Sequence, residues 1–288
     1  MSPNWPGTIC AVGALAAFFL SYRFGTGTPK KTRLLLSLTA TIIAIPGASF
    51  AVYYAHVFPE PSGYYEFRSW RGTECLLVFL GSAGGLIATM LPRPLLILPL
   101  FATAAFAFAP IVKPWIRPIP PEQMSDKWDA GVCLQSTAST CGAASVASIL
   151  MCYGVQVSEK ELAHDAHSYI GGTEAWYLAR AVRARGFDVC FRLSSGFDPK
   201  IPLPAMAGVR LDSNGHFIAI LSRTGDRFLI GDPLTGRAEL SSNELVDQYV
   251  FTGFYMSISK GDQVGLTNGS QPSCPATDQT SSAVGARH

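Results

Sequence analysis

Apolar positions are distributed unevenly along this chain. Up to residue 112 they fall into four nearly charge-free runs, 8–22, 34–58, 75–91 and 95–112. Each run is close to the ~20 residues with which an α-helix crosses a hydrocarbon core, so the pattern predicts four transmembrane helices. The lead-in MSPNWP lacks the basic stretch of a signal peptide, and no small-x-small cleavage pattern follows closely, which predicts that the first helix is retained. Pro46 and Gly47 inside the second run are tolerable in lipid, where neighbouring groups satisfy the freed backbone, and they predict a kink.

The pattern then changes. Residues 113–125, opening KPWIRPIPP, read as a proline-rich linker; 126–258 has the mixed composition and size of one globular domain; and 259–288 is a Ser, Thr, Gly, Gln and Pro tail with little to bury, predicted to be disordered. Within the domain, Ala144, Val146, Ala147, Ile149, Leu150 and Tyr153 mark a buried helix that starts at Cys141, with Thr140 or Ser139 as N-cap and Gly154 near its end. A second helix starts at Ser158 with a capping pair. A third occupies 173–185, with Trp176, Leu178, Ala179 and Val182 inward and Gly186 ending it. Residues 187–193, 203–209, 214–221, 227–233 and 249–258 read as strands, and Arg223-Thr224-Gly225-Asp226 joins two of them into a hairpin. The predicted fold class is therefore α+β, helices packed on an antiparallel sheet, preceded by an all-α four-helix transmembrane region.

Composition agrees with a chain partly in lipid: 48% hydrophobic residues against 15% charged. A net charge of +2 excludes the electrostatic footprint of a nucleic-acid binder. Arg23, Lys30, Lys31 and Arg33 make the first loop basic, so it should be cytoplasmic. The second loop, 59–72, balances Glu60 and Glu66 against Arg68 and Arg71, and the third carries Arg93; four spans then put everything after Val112 outside. The stretch GTGTPKKT, 25–32, imitates a phosphate-binding loop, but it lacks the glycine before the Lys-Thr pair and sits between two spans. No nucleotide is expected. His164 and His167 flank Asp165 at i, i+3 spacing without further ligands, so no metal or other cofactor is expected either.

Chemistry concentrates in the domain. The Cys141 sulfur lies in the first turn of its helix, where unpaired N–H groups and the helix dipole favour a thiolate. His216 begins one strand of the hairpin and Asp232 ends the other. With the turn centred on Thr224 and Gly225, Asp232 comes almost opposite His216, so the carboxylate holds one imidazole nitrogen while the other faces Cys141. These are the parts of a thiol acyl-transfer site. Gln135, six residues before Cys141, supplies an amide that can converge with the Cys141 N–H on a developing oxyanion. Cys133 and Cys152 are the rival nucleophiles. Cys10 and Cys75 lie in or beside spans, Cys190 lies in the domain and Cys274 in the tail; sequence does not pair the seven cysteines.

QSTASTCGAAS (135–145), Gly172-Thr173 heading a helix, Gly215-His216-Phe217 and Gly231-Asp232-Pro233 together resemble the bacteriocin-processing C39 cysteine peptidases of the papain-like clan. The resemblance implies a papain-like peptidase fold with Cys141 as nucleophile, His216 as general base, Asp232 as its orienter and Gln135 in the oxyanion hole. It also implies a peptide substrate, with a double-glycine leader peptide as one candidate. In the best-known members the peptidase domain precedes the membrane helices of an ATP-driven exporter and acts in the cytoplasm; here the order is reversed and no ATPase follows, so the exporter would be a separate protein. The expected localisation is the bacterial inner membrane, multi-pass, with the peptidase on the extracytoplasmic side. Two alternatives use the same residues: a non-catalytic adaptor that grips leader peptides for an exporter, and a thiol acyltransferase. Gly171-Gly172 suggests self-processing, but a glycine pair before an N-cap threonine is more simply a turn.

Overall fold

The computed structural model describes residues 3–55, 57–211 and 214–260. The chain divides into two compact units, Met1–Pro118 and Ile119–His288.

The first unit is helical: α1 (Trp5–Thr26), α2 (Lys30–Tyr54), α3 (Ser62–Ser69), α4 (Leu77–Ala88) and α5 (Ile97–Ile116). Asn4 caps α1, its side-chain oxygen accepting the Gly7 N–H at 2.9 Å. Large apolar side chains point outward on the long helices, among them Ile9, Leu20, Leu35, Ile42, Ile97 and Phe101. Aqueous surfaces do not carry such a belt, and lipid does. The described helices thus fit membrane spans: α1, α2 and the segment Arg93–Ile116 are long and apolar enough to cross.

The third predicted span differs. It is not one straight helix from residue 75: α3 occupies the expected second loop, Gly72 adopts φ 81°, a 3-10 turn covers Thr73–Leu76, and the chain bends by 101° between Ser62–Ser69 and Thr73–Ala88. At 12 residues, α4 is only ~18 Å long, short of a ~30 Å core. A buried ion pair sits at the bend. Arg68 and Glu74 meet at 3.5 Å with side chains 1% and 4% exposed, Arg68 donates to Thr73 Oγ1 at 3.0 Å, and its guanidinium lies 4.0 Å from the centre of the Phe50 ring. Charges so deeply desolvated need each other, and the bend brings them together.

Small residues set the packing of α4. A Cβ on Gly81 would lie 1.8 Å from the Ala14 carbonyl oxygen, and one on Gly85 2.1 Å from that of Phe18. This small-xxx-small spacing lets two helix backbones touch. At the far end a Cβ on Gly25 would meet Thr89, so α4 runs alongside α1 in the same direction. Helix α2 continues unbroken through Pro46, and α5 continues past Val112 through Pro114 to Ile116. Its last turn is anchored by Lys113 over the Tyr54 ring and by Trp115, whose indole N–H donates to Thr8 at 3.2 Å.

The second unit is α+β. Strands β1 (Lys127–Asp129) and β2 (Val132–Leu134) pair as a small ribbon, followed by α6 (Cys141–Cys152), α7 (Glu159–Asp165) and α8 (Ala175–Arg183). Then come β3 (Phe187–Leu193), β4 (Ala205–Leu211), β5 (Asn214–Thr224), β6 (Arg227–Asp232), β7 (Gly236–Ser241), α9 (Ser242–Gln248) and β8 (Val250–Lys260). The six-stranded sheet has the order β3-β8-β4-β5-β6-β7, antiparallel throughout. Its core includes Ala207, Val209, Ile218, Ile220, Phe228 and Ile230 from the strands, with Leu245 and Tyr249 from the α9 region.

Sequence signals and structure agree where chemistry is local. Ser158 and Glu161 form the expected capping box on α7. Gly154, at φ 76°, closes α6 by donating to the Met151 carbonyl at 2.9 Å, and Gly186, at φ 83°, follows α8. Helix α9 went unpredicted although Ser241 and Glu244 spell a capping box there too; its seven residues follow a strand whose alternation is weak. Ser259 and Lys260 belong to β8, and the rest of the expected tail lies outside the described residues.

Candidate active site

Cys141 opens α6, and the sequence around it explains how. Thr140 occupies the N-cap position but does not cap with its side chain. Its hydroxyl instead donates to the Thr137 carbonyl at 3.0 Å and accepts the Thr137 N–H at 3.1 Å. The expectation of a Thr140 side-chain cap is thereby corrected: the preceding turn, 137–140, consumes the hydroxyl and leaves it off the helix N–H groups. An anionic or developing oxygen is the natural partner of such a helix start. Gly142 lets this turn sit deep, since a Cβ there would come within 2.8 Å of Leu178 and 3.3 Å of Phe217. Ser145, one turn on, donates to the Phe217 carbonyl at 3.0 Å and ties α6 to β5 beside His216.

His216 and Asp232 are both buried, 6% and 1% exposed. Nε2 of His216 lies 2.9 Å from Oδ1 of Asp232, which leaves Nδ1 turned away from the carboxylate, and the Cys141 thiol is close enough to act on the charge of the same ring. The pairing rests on a register that differs from the expected one. The hairpin turns at Gly225 and Asp226, because Thr224 pairs with Arg227, and a bulge at Leu221 shifts the ladder so that Ile220 faces Ile230 and Ala219 faces Gly231. Asp232 therefore comes level with Ile218, diagonal to His216 on the same face and not directly opposite it.

Electrostatics follow from burial and partners. Burial opposes charge on His216, but the Asp232 carboxylate and the Cys141 sulfur outweigh it and lift the imidazole to about 9. Burial would likewise raise Asp232; bonds from His216, the Leu234 N–H at 2.9 Å and the Tyr249 hydroxyl at 2.8 Å hold it below the ordinary carboxylate range. Tyr249 was not singled out from sequence. A tyrosine one residue before a strand carries no local signal, and only the packing of the junction between α9 and β8 brings it to Asp232.

Gln135 is placed by its backbone: its N–H donates to the Pro233 carbonyl at 2.9 Å, next to Asp232. Its side-chain oxygen is buried and makes no hydrogen bond. A second residue missed from sequence holds this loop. Glu159, fully buried, accepts the Ser136 N–H at 2.8 Å and the Ser136 hydroxyl as well. Read only as part of a capping segment, it is instead the post on which the loop between β2 and α6 hangs. From the other side, the Gly171 N–H donates to Ser139 Oγ at 2.9 Å. Gly171 and Gly172 themselves form a tight turn, with Tyr169 and Gly172 exchanging both backbone bonds.

The rival cysteines sit in different settings. Cys133 is buried and free, and burial with the Glu159 and Asp126 carboxylates pushes its thiol far up. Cys152 is disulfide-bonded and Cys190 is exposed and free; Cys274 lies outside the described residues. His164 pairs with Asp165 at 3.3 Å, while the His167 ring packs edge-on against Tyr177. Among the described residues no group of three metal-ligating side chains assembles.

Residues 129–263 match the Peptidase C39 family. A lactococcin-G-processing and transport ATP-binding protein of Lactococcus lactis subsp. lactis is 25% identical over 119 residues, 40% of this chain but only 17% of the relative's own length. An uncharacterized protein of Methanothermobacter marburgensis is 27% identical over 135 residues, 46% of this chain and 90% of that one. Among solved structures, a double glycine motif protease from an AMS/PCAT transporter, in complex with its leader peptide, aligns at 24% identity and TM-score 0.39, covering 47% of this chain and 93% of that one. The peptidase domain of Streptococcus ComA, a bi-functional ABC transporter, aligns at 18% identity and TM-score 0.39, covering 46% and 99%.

Proposed function

We propose, from a globular domain that belongs to the Peptidase C39 family and apolar helices that fit membrane spans, that this chain is a membrane-bound cysteine endopeptidase acting on the leader of an exported peptide or protein. The observation that carries the reading is the buried His216–Asp232 hydrogen bond, with Cys141 at a helix start that no side chain caps and its thiol acting on the His216 charge.

In this mechanism the Cys141 thiolate attacks the scissile carbonyl carbon. The carbonyl oxygen becomes an oxyanion stabilised by the Cys141 N–H and the Gln135 side-chain amide. The His216 imidazolium then gives its proton to the departing amine and leaves a thioester on Cys141. Water attacks the thioester with His216 as base, and the acid product departs with the thiol restored. Asp232 keeps the imidazole turned and stabilises its cationic form. Apart from the attacking water, every step uses groups of this domain.

The domain is assigned to the extracytoplasmic side of a four-crossing membrane region. In support, the start of α4 lies beside the start of α1, with Cys75 next to Cys10, and its end lies beside Gly25. The bent α3–α4 segment thus travels most of the length of α1, and Arg93 emerges with Arg23, Lys30, Lys31 and Arg33 at one end. A separate exporter would supply transport. Alkaline phosphatase fused after Val112 should be active; an inactive fusion with an active β-galactosidase counterpart would reverse the orientation.

The chemistry is tested on the full chain in detergent, wild type and Cys141→Ala, by iodoacetamide labelling at neutral pH and by mass spectrometry of a double-glycine leader peptide panel. Selective labelling of Cys141 with cleavage lost in the variant is the expected result. Binding without cleavage would replace the peptidase by an adaptor, and a product mass showing transfer to an amine would make it an acyltransferase.

A further inference from the structure

Outside the peptidase domain the helical unit brings two further thiols together. Cys10, on the second turn of α1, and Cys75, in the 3-10 turn before α4, are separated by 65 positions, yet their sulfurs lie 3.9 Å apart. Both are free, Cys10 partly covered and Cys75 exposed. A disulfide needs about 2.05 Å between sulfurs, so closing the gap asks the two sulfurs to approach by ~2 Å.

The surroundings hold the two backbones in that register. Further along the same seam, α1 and α4 touch backbone to backbone through Gly81 on Ala14 and Gly85 on Phe18, which fixes the sliding of one helix along the other. On the Cys75 side the Cys75 N–H donates to the Gly72 carbonyl at 3.0 Å, and the neighbouring Glu74 is clamped by Arg68. Two cysteines so constrained from distant parts of a chain are pre-positioned for each other, and a covalent bond between them would lock the bend at Gly72 to α1.

We propose that Cys10 and Cys75 are a redox modification site, closed to a disulfide by thiol–disulfide exchange with an oxidised dithiol protein. The exposed Cys75, as thiolate, attacks one sulfur of the oxidant's disulfide, and a mixed disulfide forms as the oxidant's bond breaks. Cys10, having lost its proton to solvent, attacks the Cys75 sulfur and expels the oxidant's second thiolate. Two protein thiols are oxidised, two electrons reduce the oxidant to its dithiol, and the two protons released are taken up by its thiolates. The site does not depend on peptidase activity. It shares with the proposed orientation only the expectation that this end of the helices meets an oxidising compartment.

The test uses the full chain. Native membranes are treated with N-ethylmaleimide to block free thiols, reduced, and labelled with a maleimide mass tag; a second sample is first solubilised and incubated with oxidised glutathione as the probe oxidant. The wild type should carry two more reduction-dependent tags than Cys10→Ser, Cys10→Ala and Cys75→Ser, in either sample. Equal tag numbers in wild type and variants after oxidised glutathione would overturn the proposal. Because tagging is read at denaturing gel stage and cleavage is not measured, failure here leaves the peptidase reading untouched, and an inert Cys141 leaves this one untouched.

Discussion

Asp232 shares a sheet face with His216 because Leu221 is left over in the ladder between β5 and β6. With Thr224 paired to Arg227, an unbroken ladder would put Asp232 opposite Ala219, whose side chain points to the face away from His216. The single extra residue moves Asp232 to the level of Ile218 and onto the His216 face, where Nε2 and Oδ1 meet at 2.9 Å. Bulges beside functional groups commonly re-aim a side chain in this way.

Removing the carboxylate charge while keeping its shape should therefore cost catalysis far more than stability. Asp232→Asn is expected to lower kcat/KM by about 10²–10⁴, with an unchanged circular dichroism spectrum. Steady-state cleavage of a leader peptide measures it; a variant within threefold of wild type would remove Asp232 from the site.

The pH dependence has a defined sign. His216 is raised from its ordinary 6.5 to about 9, so its charged form contributes stability fully below the lower value, and that contribution is lost as pH rises through about 9. The melting temperature of the full chain should fall between pH 7 and pH 9.5, and the activity profile should show its alkaline limb near the same upper value. Asp232→Asn should move the limb toward neutrality. A limb that stays in place would mean that another group sets it.

Tyr249 is a positioning residue for the carboxylate. Its hydroxyl donates to Oδ2 of Asp232 at 2.8 Å while His216 and the Leu234 N–H occupy Oδ1. Tyr249→Phe removes one buried bond to a charged group, a loss of about 1.5–3 kcal/mol, and frees the carboxylate to turn. We expect kcat to drop about tenfold with KM nearly unchanged, and thermal melting to register the stability loss. Unchanged kcat with lowered stability would make the tyrosine purely structural.

In the helical unit, Gly81→Leu should disrupt the seam between α1 and α4, because even a Cβ at that position would lie 1.8 Å from the Ala14 carbonyl oxygen. Overpacking of this kind costs about 1–3 kcal/mol or more. Fluorescence-detected size-exclusion of a fusion after heating should show earlier aggregation than wild type, whereas Gly63→Ala, at a site with open space, should not.

What the sequence by itself determined is the part governed by local rules. Runs of apolar residues mark helices that fit lipid, capping pairs and terminal glycines bound α6, α7 and α8, and β3 falls where its alternation predicts, at Phe187–Leu193. The four residue types expected of a thiol site were legible because a cysteine at a helix start, a histidine at a strand start and an acid at a strand end each carry a positional signal. What only the tertiary structure decided is everything set by contacts between distant segments. The Arg68–Glu74 pair meets across the bend of the third span, where two buried charges need each other. Glu159 holds the Gln135 loop from 23 positions beyond Ser136, and Tyr249, at the end of α9, reaches Asp232 from 17 positions further along the chain. The bulge at Leu221 depends on which register buries Ile218, Ile220 and Ile230 together, and that choice is made by the whole core at once.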